Sequence, residues 1–324
     1  MDSDQVLVND PLRHCVDLPL RATFYPLGFP AGIETNSPLV LRAARESWGE
    51  WAEAFPRPPL RVRVAVAEGP AAVDPPAFRA QRQLLAIVAG ADNFALCDLG
   101  AGFAFCWVTA ATLEDAGYFR FHFLEAMVYC TLAQLHVTPV HAACAALEDR
   151  GVLLCGASGA GKTCLAYALA RRGWQYVSDD GTNLLRDGGA RIVVGKPHHI
   201  RFRPSAAELF PELAGRLATT PAGRKPTIEI RTCEIPGIAR STTCRAEYIL
   251  FLNRASGTTG LAPLSREEAL ARLVAELPLF EESAYQQQIR TLHGLLEAPA
   301  FELRYATLEA GARAIEDLVE RPGK

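Results

Sequence analysis

The hydrophobic pattern of this chain changes period along its length. Leu60-Arg61-Val62-Arg63-Val64-Ala65-Val66 alternates apolar and basic residues, which predicts a half-buried strand. Gln83–Val88, Asn93–Cys97 and Phe103–Thr109 are further short apolar or alternating runs separated by Gly, Asp and Asn. Together they predict a small, mainly antiparallel β domain. The stretch before Glu68 carries many prolines and reads as irregular around such strands. From Tyr118 to His136 the period becomes helical. Phe121, Leu124, Val128, Leu132 and Leu135 fall on one stripe, with Met127 beside it and Glu125 at its flank. A long, mostly buried helix is expected there.

A third pattern begins at Val140. Val140–Leu147 reads as a strand, Glu148-Asp149-Arg150-Gly151 as a hairpin turn, and Gly151–Cys155 as a buried strand. Thr163–Arg172 reads as a helix, with Gly173 suited to its C-terminal cap. Further strands are expected at Trp174–Ser178, Arg191–Val194, Thr227–Arg231 and Glu247–Asn253, and helices at Ser265–Glu276 and Leu308–Glu320. This predicts two domains: residues 1–117, smaller and β-rich (α+β), and residues 118–324, an α/β core. No internal repeat or low-complexity segment interrupts them.

Composition narrows the class. A chain of 324 residues, 49% apolar and 21% charged, is that of a globular protein with ample core material. A net charge of −3 provides no electrostatic footprint for nucleic acid or an anionic membrane. The most apolar region, Phe121–Leu147, is interrupted by Glu125, His136, Pro139 and His141, so no membrane span is expected. Met1-Asp2-Ser3-Asp4-Gln5 has no basic segment and no apolar run after it, unlike a signal peptide. The nine cysteines (Cys15, Cys97, Cys106, Cys130, Cys144, Cys155, Cys164, Cys233 and Cys244) include no C-x-x-C pair. Neither a disulfide framework nor a zinc site is expected, and the thiols suit a reducing cytoplasm.

Candidate chemistry centres on Gly156-Ala157-Ser158-Gly159-Ala160-Gly161-Lys162-Thr163, which satisfies G-x-x-x-x-G-K-[ST] in full. Its glycines let the backbone wrap around phosphate and aim N–H groups at it. Lys162 adds positive charge for the β- and γ-phosphates, and Thr163 a hydroxyl for Mg²⁺. The strand before the loop and the helix after it supply the expected context, and the helix N-terminus favours an anion. His141 lies fifteen residues before Gly156, and Asp179-Asp180 follow Thr163 by sixteen and seventeen. The hairpin would bring the strand of His141 beside the end of the loop strand, so one sheet edge could gather all three parts. Each has a plainer reading: Asp179-Asp180 as a strand-ending turn before Gly181, His141 as a core histidine, Glu229 of Ile228-Glu229-Ile230-Arg231 as a solvated strand face. The cluster Lys196–Arg203 reads equally as a substrate contact or a solvated basic strand.

This combination resembles the HPr kinase/phosphorylase family of bacterial serine kinases. The resemblance rests on Val140-His141-Ala142-Ala143, the loop Gly156–Thr163, and Arg172-Gly173-Trp174-Gln175-Tyr176-Val177-Ser178-Asp179-Asp180, in matching order and spacing. It extends more weakly through Cys244–Leu252 and Phe301–Tyr305. Residues before Tyr118 are closer in style to HPr-kinase-like proteins of peptide-modifying systems, including lasso-peptide kinases. The resemblance implies a phosphate-loop core akin to phosphoenolpyruvate carboxykinase, with ATP and Mg²⁺ as cofactors. It makes Lys162 the phosphate contact, Thr163 and Glu229 the metal contacts, and Asp180 the general base. His141 would assist at the transferred phosphate, and Asp179 would support the metal or its waters. Only Glu229-Ile230-Arg231 of the family's Glu-Ile-Arg-Gly-Leu-Gly motif is present, followed here by Thr232-Cys233-Glu234. The family's later Pro-Val-Arg-Pro-Gly-Arg-type segment has no counterpart, which favours the kinase over the phosphorylase direction.

The expected activity is transfer of the ATP γ-phosphoryl group to a hydroxyl, foremost of Ser, on a peptide, small protein or small molecule. Neither nucleic acid nor membrane is an expected partner, and a homo-oligomer would follow the family's hexameric habit. A nucleotide-binding regulatory module without efficient catalysis is the alternative, favoured by the incomplete Glu-Ile-Arg segment. A carboxykinase-like enzyme acting on a small acid stands third.

Overall fold

A computed structural model describes residues 16–187, 189, 191–219, 225–278 and 281–320. Cys15 and Met1–Gln5 lie outside them. The chain divides into two units, Met1–Leu135 and His136–Lys324. This boundary falls later than the expected 117/118. The helical stretch before it packs on β-strands of the first unit, so its apolar stripe completes that core.

The first unit is a seven-stranded sheet of β1 (Leu20–Phe24), β2 (Ala31–Thr35), β3 (Leu60–Ala67), β4 (Ala77–Gln81), β5 (Leu84–Val88), β6 (Phe94–Asp98) and β7 (Phe103–Thr109). Its order is β1-β2-β3-β7-β6-β5-β4. The β2–β3 and β3–β7 pairs are parallel and the others antiparallel. A parallel β2–β3 pair needs a crossover, and α1 (Pro38–Trp48) supplies it where the prolines suggested irregular chain. Ser37 caps α1, Pro38 occupies its first turn, and Val40, Ala43, Ala44, Ser47 and Trp48 form its buried stripe. The helix expected over 118–136 consists of Ala116–Phe119, a π-helical stretch Arg120–Glu125, and α2 (Ala126–Leu135).

The second unit begins with β8 (Val137–Val140), β9 (Ala142–Leu147), β10 (Arg150–Cys155), α3 (Lys162–Ala170), β11 (Gln175–Ser178), β12 (Thr182–Leu185) and β13 (Ile192–Val194). Then come β14 (His199–Phe202), β15 (Ile228–Arg231), β16 (Ala239–Arg240), β17 (Thr243–Arg254), β18 (Gly260–Pro263), α4 (Arg266–Ala275), α5 (Glu282–Leu295), β19 (Ala300–Tyr305) and α6 (Leu308–Glu320). Strands run β16-β11-β9-β10-β17-β13-β12-β8, with β19 and β18 joined beside β17, and β14–β15 form a separate ribbon. Ala143, Ala145, Val152 and Leu154 face the core with α3, α6 and the ribbon. Their neighbours Ala142, Cys144, Leu153 and Cys155 face the core with α4 and α5. Burial on both faces explains why these strands read as continuous apolar runs. The protein is thus a mixed α/β fold with several sheets. Among the described residues no helix is long and apolar enough to cross a membrane.

Candidate functional site

The expected hairpin forms, with Arg150 opposite Leu147 and Cys155 opposite Ala142. Val140–Leu147 is not one strand, however. It breaks at His141, so that β8 pairs with β12 (Thr182 opposite Val140) while β9 pairs with β11. The partner chain breaks at the same level, at Asp179–Gly181 between β11 and β12. Ser178 Oγ and Thr182 Oγ1 lie 2.5 Å apart, and Thr182 Oγ1 donates to the Ala142 carbonyl at 2.7 Å. Two matching breaks, pinned by these hydroxyls, set His141 against Asp180.

The loop Gly156–Thr163 leaves β10 and turns into α3, as expected. Gly161 is the N-cap of α3, with φ +101°. The Tyr305 hydroxyl, from β19, donates to the Ala160 carbonyl at 2.5 Å and steadies the turn. Lys162, 6% exposed, donates from Nζ to the Gly156 carbonyl at 2.7 Å and lies 3.6 Å from Asp180 Oδ1. Its charge therefore sits inside the loop.

His141 Nε2 is 2.9 Å from Asp180 Oδ1, and its Nδ1 is 3.0 Å from Glu276 Oε2. Ionised carboxylates only accept, so a ring between two of them donates from both nitrogens as imidazolium. The Asp180 hydrogen bond, aided by that of Glu276, raises the His141 pKa against burial and the Lys162 charge. Partial burial pulls the Asp180 carboxyl up, but the hydrogen bond and charge of His141, with Lys162, hold it below its usual range.

Asp179 faces the other way. Its Oδ2 accepts the Arg201 amide at 2.8 Å, and burial raises its pKa against the Arg201 charge. The Thr163 hydroxyl donates to the Asp179 carbonyl at 3.4 Å. Arg201 also donates from Nε to Glu229 Oε2 at 2.9 Å, across the β14–β15 register. His199 Nε2 stands 4.0 Å from Glu229 Oε1. Asp180 thus contacts both His141 and Lys162, Asp179 joins through Thr163, and Glu229 is linked to Asp179 through Arg201. From the basic cluster Lys196–Arg203, Arg201 reaches Asp179.

Glu276 and Tyr305 were read only as the end of an expected helix and of a weakly matching segment, with no role at the site. Each arrives through a tertiary contact from a distant element. Among the described residues no three His, Cys, Asp or Glu side chains form a metal cluster. Mg²⁺ bound with nucleotide needs few protein ligands and keeps several waters, and the Thr163 hydroxyl fits that need. The Glu229 carboxylate is engaged by Arg201. A groove of about 490 Å³ in the first unit, lined by Arg21, Glu34, Arg61 and Arg63, includes none of these residues.

The chain matches no family model and no curated protein. Among solved structures, the HPr(Ser) kinase/phosphatase from Coxiella burnetii is similar over 56% of this chain and 93% of its own, at 16% identity and a TM-score of 0.32.

Proposed function

We propose that the protein is an ATP- and Mg²⁺-dependent kinase acting on a hydroxyl of a peptide, small protein or small molecule in the cytoplasm. The observation that carries this reading is the contact of Lys162, Asp180 and His141 where the Gly156–Thr163 loop meets α3. The loop amides and the α3 N-terminus favour phosphate, and Lys162 would exchange its loop carbonyl for the phosphates. Asp180 is ionised and offers Oδ2, because Oδ1 takes the His141 and Lys162 contacts. There it would receive the acceptor proton as the acceptor oxygen bonds to the γ-phosphorus. The bond from that phosphorus to the bridging oxygen breaks, and ADP leaves. His141 holds the carboxylate in place. Thr163 would hold Mg²⁺, with Asp179 supporting the ion or its waters, and the ion would supply neutralisation of the phosphate charge.

A general base contributes about 10²–10⁴-fold to such a transfer. Asp180→Asn is therefore expected to lose at least about 100-fold in turnover while binding ATP nearly as well. Lys162→Ala is expected to lose both. Transfer of labelled phosphate to serine-bearing acceptors, with calorimetric titration of Mg·ATP, measures the two quantities. Normal transfer by Asp180→Asn would remove the base assignment. A second reading is a nucleotide-binding regulatory module, favoured by the lowered Asp180 pKa, since a weaker base takes a proton less readily. Tight ATP binding with no transfer to any acceptor would select it.

A further inference from the structure

We propose that Glu276 is the positioning residue of His141, and through it of Asp180, so that the site extends to the end of α4. This rests on the kinase reading for its consequence, but its geometry is independent of it. Glu276 follows the last residue of α4, and its amide still donates to the Leu273 and Val274 carbonyls. A carboxylate there meets the negative end of the helix dipole. The rest of α4 obeys the dipole, with Glu267 and Glu268 in the first turn and Arg272 in the last. Glu276 breaks the local rule at the point where it meets His141, as functional residues do.

Its contacts are specific. Among the described residues, Glu276 has one ion-pair partner, His141, at 3.0 Å. The opposite nitrogen of that ring reaches Asp180 at 2.9 Å. The charged and titratable groups facing this pair are Asp180 after β11, Lys162 at the start of α3, and Cys155 at the end of β10. Held at both nitrogens, the imidazolium can neither flip nor turn away, and Asp180 receives its N–H from a fixed direction. Without Glu276 the ring would be held at one end only.

The test uses the full-length protein labelled with ¹⁵N-histidine, in which His141→Gln assigns one of seven histidine signals. Both ring nitrogens of His141 should carry protons at neutral pH in the unaltered protein. Glu276→Gln, nearly equal in shape, should convert the ring to a one-proton or exchanging form. With Mg·ATP and water as the probe reaction, Glu276→Gln should lower kcat about 10- to 100-fold, by analogy with carboxylates that orient metal-ligating histidines. KM for ATP should stay within about twofold, because binding is untouched. In a His141→Gln background the second substitution should change kcat less than about twofold. An unaltered nitrogen pattern, a loss expressed in KM, or additive losses would overturn the assignment. Were the unaltered protein to turn over no ATP and phosphorylate no acceptor, the kinase reading would fall, and the nitrogen pattern would still decide the role of Glu276.

Discussion

A Cβ at Gly161 would lie 2.3 Å from the Tyr305 hydroxyl, with the ring carbon behind it at 3.5 Å, an ordinary contact. The backbone there also has φ +101°, which L side chains rarely adopt. Gly161→Ala should therefore cost about 1–3 kcal/mol of stability and loosen the loop that Tyr305 steadies. Adding Tyr305→Phe removes the clashing oxygen and should return part of that loss, leaving the strain in φ and the lost hydroxyl bond to the Ala160 carbonyl. Urea denaturation of both variants measures the difference; equal stabilities would mean the hydroxyl is not the obstacle. At His141 the raised pKa fixes a pH dependence. Its contribution is complete below the ordinary value of 6.5 and lost as pH rises through the raised folded-state value. The lowered Asp180 pKa places its own contribution above the ordinary 3.8, lost as pH falls through the lowered value. The stability difference between the protein and His141→Gln should thus be widest between 3.8 and 6.5 and shrink on the alkaline side. A difference that grew with pH would contradict the pairing.

Among the elements, α5 carries a buried amide in its core stripe. Ala284, Gln288, Thr291, Leu292 and Leu295 form its buried face, and neither polar atom of Gln288 has a partner among the described residues. An unsatisfied buried amide costs about 1–3 kcal/mol, so Gln288→Leu should raise stability by about 1 kcal/mol or more. A denaturation midpoint that fell instead would mean a water or neighbour satisfies the amide. The same residue explains why α5 could not be read from the sequence. Gln288 and Thr291 interrupt the apolar period, whereas Phe103–Thr109 and Leu308–Glu320 keep theirs and were legible to the residue. α1 was hidden differently, by prolines that mark its start yet resemble a run of turns. The break at His141 was invisible because Val140 and Ala142 are both apolar, and only pairing with different strands separates β8 from β9.

For the whole molecule, legibility followed sequence distance. His141, the Gly156–Thr163 loop and Asp179-Asp180 lie within forty residues and were readable as motif and spacing. Arg201, Glu276 and Tyr305 reach the same place from a ribbon, a helix end and a distant strand, which only the fold determines. On the proposed reading, these long-range contacts would make nucleotide binding a property of the folded second unit, and binding would then stabilise it. Mg·ATP at about 100 times its Kd should contribute about 2.7 kcal/mol to the state that binds it. Hydrogen exchange reads this effect at the second unit itself, apart from the opening of the first. Amides of β10 and α3 that exchange through opening of the second unit should slow about 100-fold. The Asp179–Thr182 segment should slow with them, since Thr163 and Lys162 tie it to the loop. Lys162→Ala should abolish this protection at the same ATP concentration, while Glu276→Gln should keep it, because Glu276 acts on His141 and not on the loop. Protection confined to residues before His136 would place the nucleotide elsewhere and leave the Gly156–Thr163 loop without its proposed role.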